Sequence, residues 1–385
     1  MMRTSLFAAV AALSGWAGAA QAADIEFWYG NTGVIEEAIQ AQCQDFNASQ
    51  FEHQVTCVGS GTYEVGMQKA IAAYRTGNAP VLIQFFDAGT LDLMLSDAVV
   101  PVEEILPEVD WSNYIAGARS YYETSDGRIF AQPYNSSTLL FYANMTQLNE
   151  AGVETMPGTW EEIIAAAEKL KAAGHACPYV VNTNNGWNMV EQFSARHGLP
   201  LASNGNGFGG LDAEYVLNTT FLAEHLQNLV DWRAEGLVKL DTDTTAGDYT
   251  AAFNTGECAM MENSSGSYTG AAKAFGDKYE LGLGLAPMYE AYERHNTFVG
   301  GASIYVMKGH DEAELAAAGA FLDFLRQPEQ QMFFTKATGY VPVTNDVLDA
   351  IEAGGQAQDY PTAAIGIESM NQPGTADTRG IRLGF

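Results

Sequence analysis

From Asp24 onward, apolar and polar positions fall into runs that switch between the strand period and the helix period. IEFWYG (25–30) is strand-like, and after it Ile35, Ala38, Ile39, Cys43 and Phe46 recur at helical spacing. HQVTCVG (53–59) is a second strand. Val65, Met67, Ala70, Ile71 and Tyr74 then share one helix face, with Gly77 as the stop. APVLIQFF (79–86) reads as a continuous apolar run of the kind buried parallel strands carry. This β-α-β-α-β opening predicts an open α/β sheet, in which ligands bind beyond the carboxyl ends of the strands. Residues 29–31, 59–63 and 87–90 occupy those ends.

Further on, Pro133, Asn135, Ser136 and Ser137 interrupt a strand-like run over 128–145, as a crossing between two domains does. Thr159 and Glu162 form a capping box for a helix carrying Trp160, Ile163, Ile164, Ala167 and Leu170. Residues 179–181 resume a strand, and NGNGFGG (204–210) reads as a loop, lacking the flanking strand and helix of a dinucleotide fingerprint. A helix over 220–235 stops at Gly236. TGECAMMENSSGSYTG (255–270) puts a short strand before a polar turn, Asn263 to Ser267, and an Ala-rich helix start. Such a turn aims N–H groups and hydroxyls one way and makes an anion or polyol site, with simple helix capping by Ser264 or Ser267 as the alternative. Strands follow over 281–288 and 298–307, the latter with Gly300 and Gly301 inside it, which marks a bend or a close approach. A helix over 314–326 precedes Pro328, and TGYVPVT (338–344) is a further candidate crossing.

Composition narrows the class. With 385 residues, 47% hydrophobic and 17% charged, the chain is globular and long enough for two cores. Met1, Met2 and Arg3, an apolar run over 6–20 and Ala20-Gln21-Ala22 predict an export leader cleaved after Ala22, hence a soluble periplasmic protein. The net charge of −29 repels nucleic acid and anionic lipid, yet leaves room for a small anion held by locally aimed N–H groups. Four cysteines suit an oxidising compartment; of three pairings, Cys43 with Cys57 and Cys177 with Cys258 is favoured, against free buried thiols.

AAYRTGNAPVLIQFFDAGT, AQPYNSSTLLFYAN, FSARHGLPLAS, FNTGECAMMENSSGS, VGGASIYVM, FLDFLRQPEQ and KATGYVPVT, in this order, resemble the extracellular solute-binding proteins of bacterial ABC importers. The likeness is strongest to the branch that takes sn-glycerol 3-phosphate. It implies two α/β lobes joined by crossing strands and closing over ligand, a type II periplasmic-binding-protein fold. Lobe I is expected over 23–133 plus 302–338, and lobe II over 134–301 plus 339–385 with its C-terminal part incomplete. The resemblance implies ligand contacts at Tyr63, Asp87 (where the family has Glu), Ser137, Ser264, Gly301 and Tyr340. It places a phosphate-pairing arginine beyond Phe385; Arg382 matches a different arginine. Trp187 matches a second aromatic of the family, and Asn184 stands nearest to its stacking tryptophan.

The function expected is capture of sn-glycerol 3-phosphate or a glycerophosphodiester by a monomer, without a catalytic step, cofactor or metal, for delivery to an inner-membrane ABC permease. A sugar or oligosaccharide is the alternative cargo, since Trp28, Tyr29, Tyr63, Trp187 and Tyr340 could floor such a site. A secreted hydrolase is disfavoured: G-x-S-x-G and H-E-x-x-H are missing, and the six histidines are scattered.

Overall fold

The computed structural model describes residues 22–124, 126–183, 186–354, 359–370 and 372. The expected leader, apart from Ala22, lies outside them, as do Asn184 and Arg382. The strands, in chain order, are β1 (Asp24–Tyr29), β2 (Gln54–Gly59), β3 (Leu82–Phe86), β4 (Val99–Val100), β5 (Gln132–Ser137), β6 (Leu139–Asn144), β7 (Tyr179–Val181), β8 (Val238–Leu240), β9 (Met260–Ser264), β10 (Leu281–Leu285) and β11 (Gly300–Met307).

They form two sheets. The first runs β2-β1-β3-β11-β4, with β5 also paired to β11; the second runs β10-β6-β9-β7-β8. In the first, β1 lies parallel to β2 and β3, so the helices Val34–Ser49 and Tyr63–Arg75 serve as crossovers, while β11 is antiparallel to its neighbours. Each sheet carries a hydrophobic cluster on either face. Alternate residues of β1, β3 and β11 feed one cluster with Phe27, Ile39, Phe46, Ile304 and Phe321, and those of β3 and β11 feed another with Ile83, Phe85, Tyr121 and Tyr305. In the second sheet Phe141 packs with Trp160, Tyr179 and Phe193, whereas its neighbours Leu140 and Tyr142 pack with Phe253 and Phe275.

The sheets meet where β5 passes into β6 with only Thr138 between them, and every residue of both strands is buried. A second tie is the bridge of Ser136 to Val341, in which Val341 N donates to Ser136 O at 2.9 Å. The two-lobed α/β fold expected from the resemblance is therefore present.

Local signals hold where caps fix them. Thr159 and Glu162 form the capping box of the helix Trp160–Ala172. The helix Glu312–Leu325 begins earlier than expected because Asp311, not Glu314, is its N-cap. The glycine-rich stretch is more ordered than a plain loop. Asn204, Gly205, Asn206 and Gly207 all have positive φ (53°, 59°, 57° and 89°), and Asn206 Oδ1 accepts from Leu201 N and Ala202 N. Asn and Gly are the residues that tolerate such a left-handed turn.

Both disulfides join the expected partners. Cys43–Cys57 ties a helix to β2, and Cys177–Cys258 ties the approaches to β7 and β9, with sequence separations of 14 and 81. Loop-closure entropy makes the longer loop the stronger staple, about 4.5 against about 3 kcal/mol. Urea unfolding of the two double Cys→Ala variants is expected to show the larger loss for Cys177/Cys258.

Candidate functional site

At the junction of the sheets a buried amide organises the polar groups. Gln84 lies on β3 and is 4% exposed. Its Oε1 accepts from Gly30 N at 2.8 Å, and its Nε2 donates to Asn31 Oδ1 at 2.7 Å and to Asn135 Oδ1 at 2.8 Å. With their carbonyls so engaged, both asparagines turn their NH₂ groups to Tyr63. Asn135 Nδ2 donates to its hydroxyl at 2.7 Å and Asn31 Nδ2 at 3.2 Å. An oxygen that accepts twice must send its own proton elsewhere, and the Tyr340 hydroxyl is its partner. Burial pushes both phenols up from their ordinary values, so both remain donors. The donor sense of the whole network is thus set by Gln84 and ends on the proton of Tyr340.

Tyr340 is held by two contacts. Its ring lies parallel to Phe334 at 5.9 Å, and a Cβ on Gly266 would come within 2.8 Å of it. Gly266 belongs to the turn Ser265–Ser267, which β9 enters through Ser264. Ser264 Oγ accepts from Gly266 N at 3.0 Å and keeps its proton to donate. The serine therefore caps the turn and presents a hydroxyl at once, so the two alternatives for it coexist.

On the other side, Asp87 follows β3 and its Oδ2 accepts from Gly301 N at 3.0 Å. The N–H expected to face a ligand is here engaged with the carboxylate. Gly301 has φ 122°, and a Cβ there would sit 2.0 Å from Asn135 O, so only glycine fits. Its neighbour Gly300 pairs with the buried Ser137 and gives room to the Trp187 indole, which a Cβ would meet at 2.2 Å. The structure thus gathers Tyr63, Asp87, Ser137, Ser264, Gly301, Tyr340 and Trp187 around the β5–β11 pairing and the turn after β9.

Four further residues stand in the same place without having been named as ligand contacts, although Asn31 and Asn135 lie in the strand end and the crossing already singled out. Asn31, Gln84 and Asn135 carry the network; the signal for Gln84 was its polarity inside the apolar run 79–86. The fourth is Glu191, on the π-helical turn Trp187–Gln192. Tyr121, packed in the first sheet's core, donates to its Oε2 at 3.5 Å, so the contact joins the two halves. Burial, and then the charge of Asp87, push the Glu191 carboxyl up to about 8.

Two α/β lobes joined by crossing strands, with polar groups of both turned onto the junction, define a ligand-binding clamp. Comparison with known proteins gives the family. The pattern of the bacterial extracellular solute-binding proteins matches residues 41–364, and the chain belongs to that family. It is 34% identical over 371 residues to the sn-glycerol-3-phosphate-binding periplasmic protein UgpB of Escherichia coli K12, covering 94% of this chain and 83% of that one. The Yersinia pestis protein of the same name is 34% identical over 376 residues, with the same coverage. Among solved structures, the GacH receptor of Streptomyces glaucescens superposes with a TM-score of 0.78 at 18% identity, covering 93% of this chain and 88% of that one. UgpB of Mycobacterium tuberculosis, in complex with glycerophosphocholine, superposes with a TM-score of 0.77 at 20% identity, covering 94% and 87%.

Tyr63→Phe removes the hydroxyl that accepts from both asparagine amides and is expected to cost about 1–3 kcal/mol in urea unfolding. Gln84→Met, which strips partners from Gly30, Asn31 and Asn135, should cost more. The pH dependence has a definite sign. The folded carboxyl of Glu191 titrates near 8 against an ordinary 4.5, so its contribution is intact below the unfolded value and is lost as pH rises through about 8. Glu191→Gln should flatten that decline when unfolding is followed from pH 5 to pH 9.

Proposed function

We propose that this protein is the periplasmic capture component of an ABC importer, taking sn-glycerol 3-phosphate or a glycerophosphodiester to an inner-membrane permease. What supports the ligand class above all is 34% identity along 94% of the chain to proteins named for that ligand. The character of the junction agrees with it. Phosphate needs hydrogen-bond donors and repels carboxylates, so its place is at the Tyr340 and Ser264 hydroxyls, near Ser137 and the N–H groups of the turn after β9. The glycerol hydroxyls then face Asp87. A hydroxyl donating to that carboxylate frees the Gly301 N–H, which turns to the ligand as the lobes close. Trp187, laid against Gly300, forms the apolar wall.

With this reading go the lobe division at 133/134, 301/302 and 338/339, export by the leader, and action as a monomer. Capture involves no catalytic step and no nucleic acid. In a thermal-shift screen of the full-length protein, glycerol 3-phosphate or glycerophosphocholine is expected to raise the melting temperature. Ser264→Ala should weaken the affinity roughly tenfold, the worth of one hydrogen bond to a charged group. A shift by maltose or other sugars alone would overturn the phosphate assignment.

A further inference from the structure

Behind β9, away from the junction, the second lobe buries a charge imbalance. Arg196 is fully buried. Its Nε donates to Pro287 O at 2.8 Å, and its guanidinium lies 5.5 Å from the centre of the Phe193 ring. Its Nη2 is 2.7 Å from Glu262 Oε1, an ion pair by distance in which neither atom makes an aligned hydrogen bond. The other oxygen, Glu262 Oε2, accepts from Tyr179 at 3.1 Å. Beside this pair runs the segment of Arg294, held along the Arg196 backbone by the bond from His295 N to Arg196 O at 2.9 Å.

Two guanidiniums therefore share one interior carboxylate. Glu368, the other acid acting on Arg294, is exposed. The imidazoles packed nearby add no positive charge: burial holds His225 well below its ordinary value and His197 down to about 3, so both are neutral. Burial also raises the Glu262 carboxyl, and burial together with the charge of Arg196 lowers Arg294 to about 10. The Arg294 shift has the direction expected beside a second cation, whereas at Glu262 burial causes the rise and both arginines oppose it.

Among the described residues, donors outnumber acceptors in the unpartnered groups here, although Glu262 Oε1 in the same lining also lacks an aligned bond. Arg196 Nη1, Arg294 Nη1 and Trp160 Nε1 are buried donors without an acceptor. Trp160 and Arg196 line a cavity of about 20 Å³, together with Tyr179, Asn188, His225 and Glu262. A space of that size admits one occupant on the scale of a water molecule. A buried cation lacking a partner is costly, and buried donors left without an acceptor call for one.

We propose that this cavity is a site for one small inorganic anion of the chloride class, held by Arg196 and Trp160 with Arg294 as the balancing charge. A water is the competing occupant, since it could accept from Trp160 and donate to Glu262 Oε1. The anion alone also cancels the surplus charge. Because Glu262 lies two residues before Ser264 and Asn188 follows Trp187, the anion braces the wall on which the ligand rests.

Crystals of the full chain grown in bromide, measured at the bromine absorption edge, decide the occupant. An anomalous peak within hydrogen-bond reach of Arg196 Nη1 and Trp160 Nε1 is expected; an ordered water there without anomalous signal overturns the proposal. In solution at constant ionic strength, exchanging gluconate for chloride should raise the melting temperature by about 2–4 °C by binding to the folded state alone. Arg294→Gln, which removes the surplus charge and leaves the Arg196–Glu262 pair intact, should abolish that rise. Equal melting temperatures of the wild type in the two salts would contradict the site.

Discussion

The structure at the junction depends on a single buried amide. Gln84 sits in an otherwise apolar strand, and all its hydrogen-bonding capacity toward Gly30, Asn31 and Asn135 is met within 2.8 Å. A fully satisfied polar group of this kind is tolerable in a core and fixes geometry; a partly satisfied one is costly. Here it fixes more than position. By claiming the carbonyls of two asparagines it decides that both present donors to Tyr63, and so that the chain of hydroxyls ends as a donor at Tyr340.

The crossing strands turn that local constraint into a two-lobed device. Asn135 is part of β5, whose continuation into β6 carries the chain from one sheet to the other, and it also meets β11 at the bulge beside Gly301. The two glycines of β11 are small for different reasons. Gly301 lies against the Asn135 carbonyl, and Gly300 lies under the Trp187 ring. The first keeps the crossing tight and the second lets the opposite lobe reach it. Asp87 and the largely neutral Glu191 carboxyl, one from each half, feel each other's charge, while the Tyr340 and Ser264 hydroxyls sit together at the turn after β9. Such polarity suits a ligand that is anionic at one end only.

Much of this was legible in the chain. Periodicity located the parallel strands and their crossover helices, because the buried runs are long and the caps, such as Thr159 with Glu162, are strong. The family likeness named the residues that the fold gathers at the junction. Pairwise matters of register were not legible. Nothing local says that Gln84 will face Asn135, fifty-one positions away in sequence. Nor does Glu191, between Val190 and Gln192, announce that Tyr121 of the other half will meet it. The left-handed turn at Asn204 to Gly207 was hidden for a further reason: Asn and Gly permit that conformation without requiring it.

The central claim is that a glycerol phosphate lies between the lobes with its phosphate toward Tyr340 and Ser264 and its hydroxyls toward Asp87. A crystal structure of the protein with glycerophosphocholine tests this most directly. The account predicts phosphate oxygens within hydrogen-bond reach of Tyr340 Oη and Ser264 Oγ, and Gly301 N released from Asp87. Ligand bound with its phosphate beside Asp87, or bound away from the β5–β11 pairing, would contradict it.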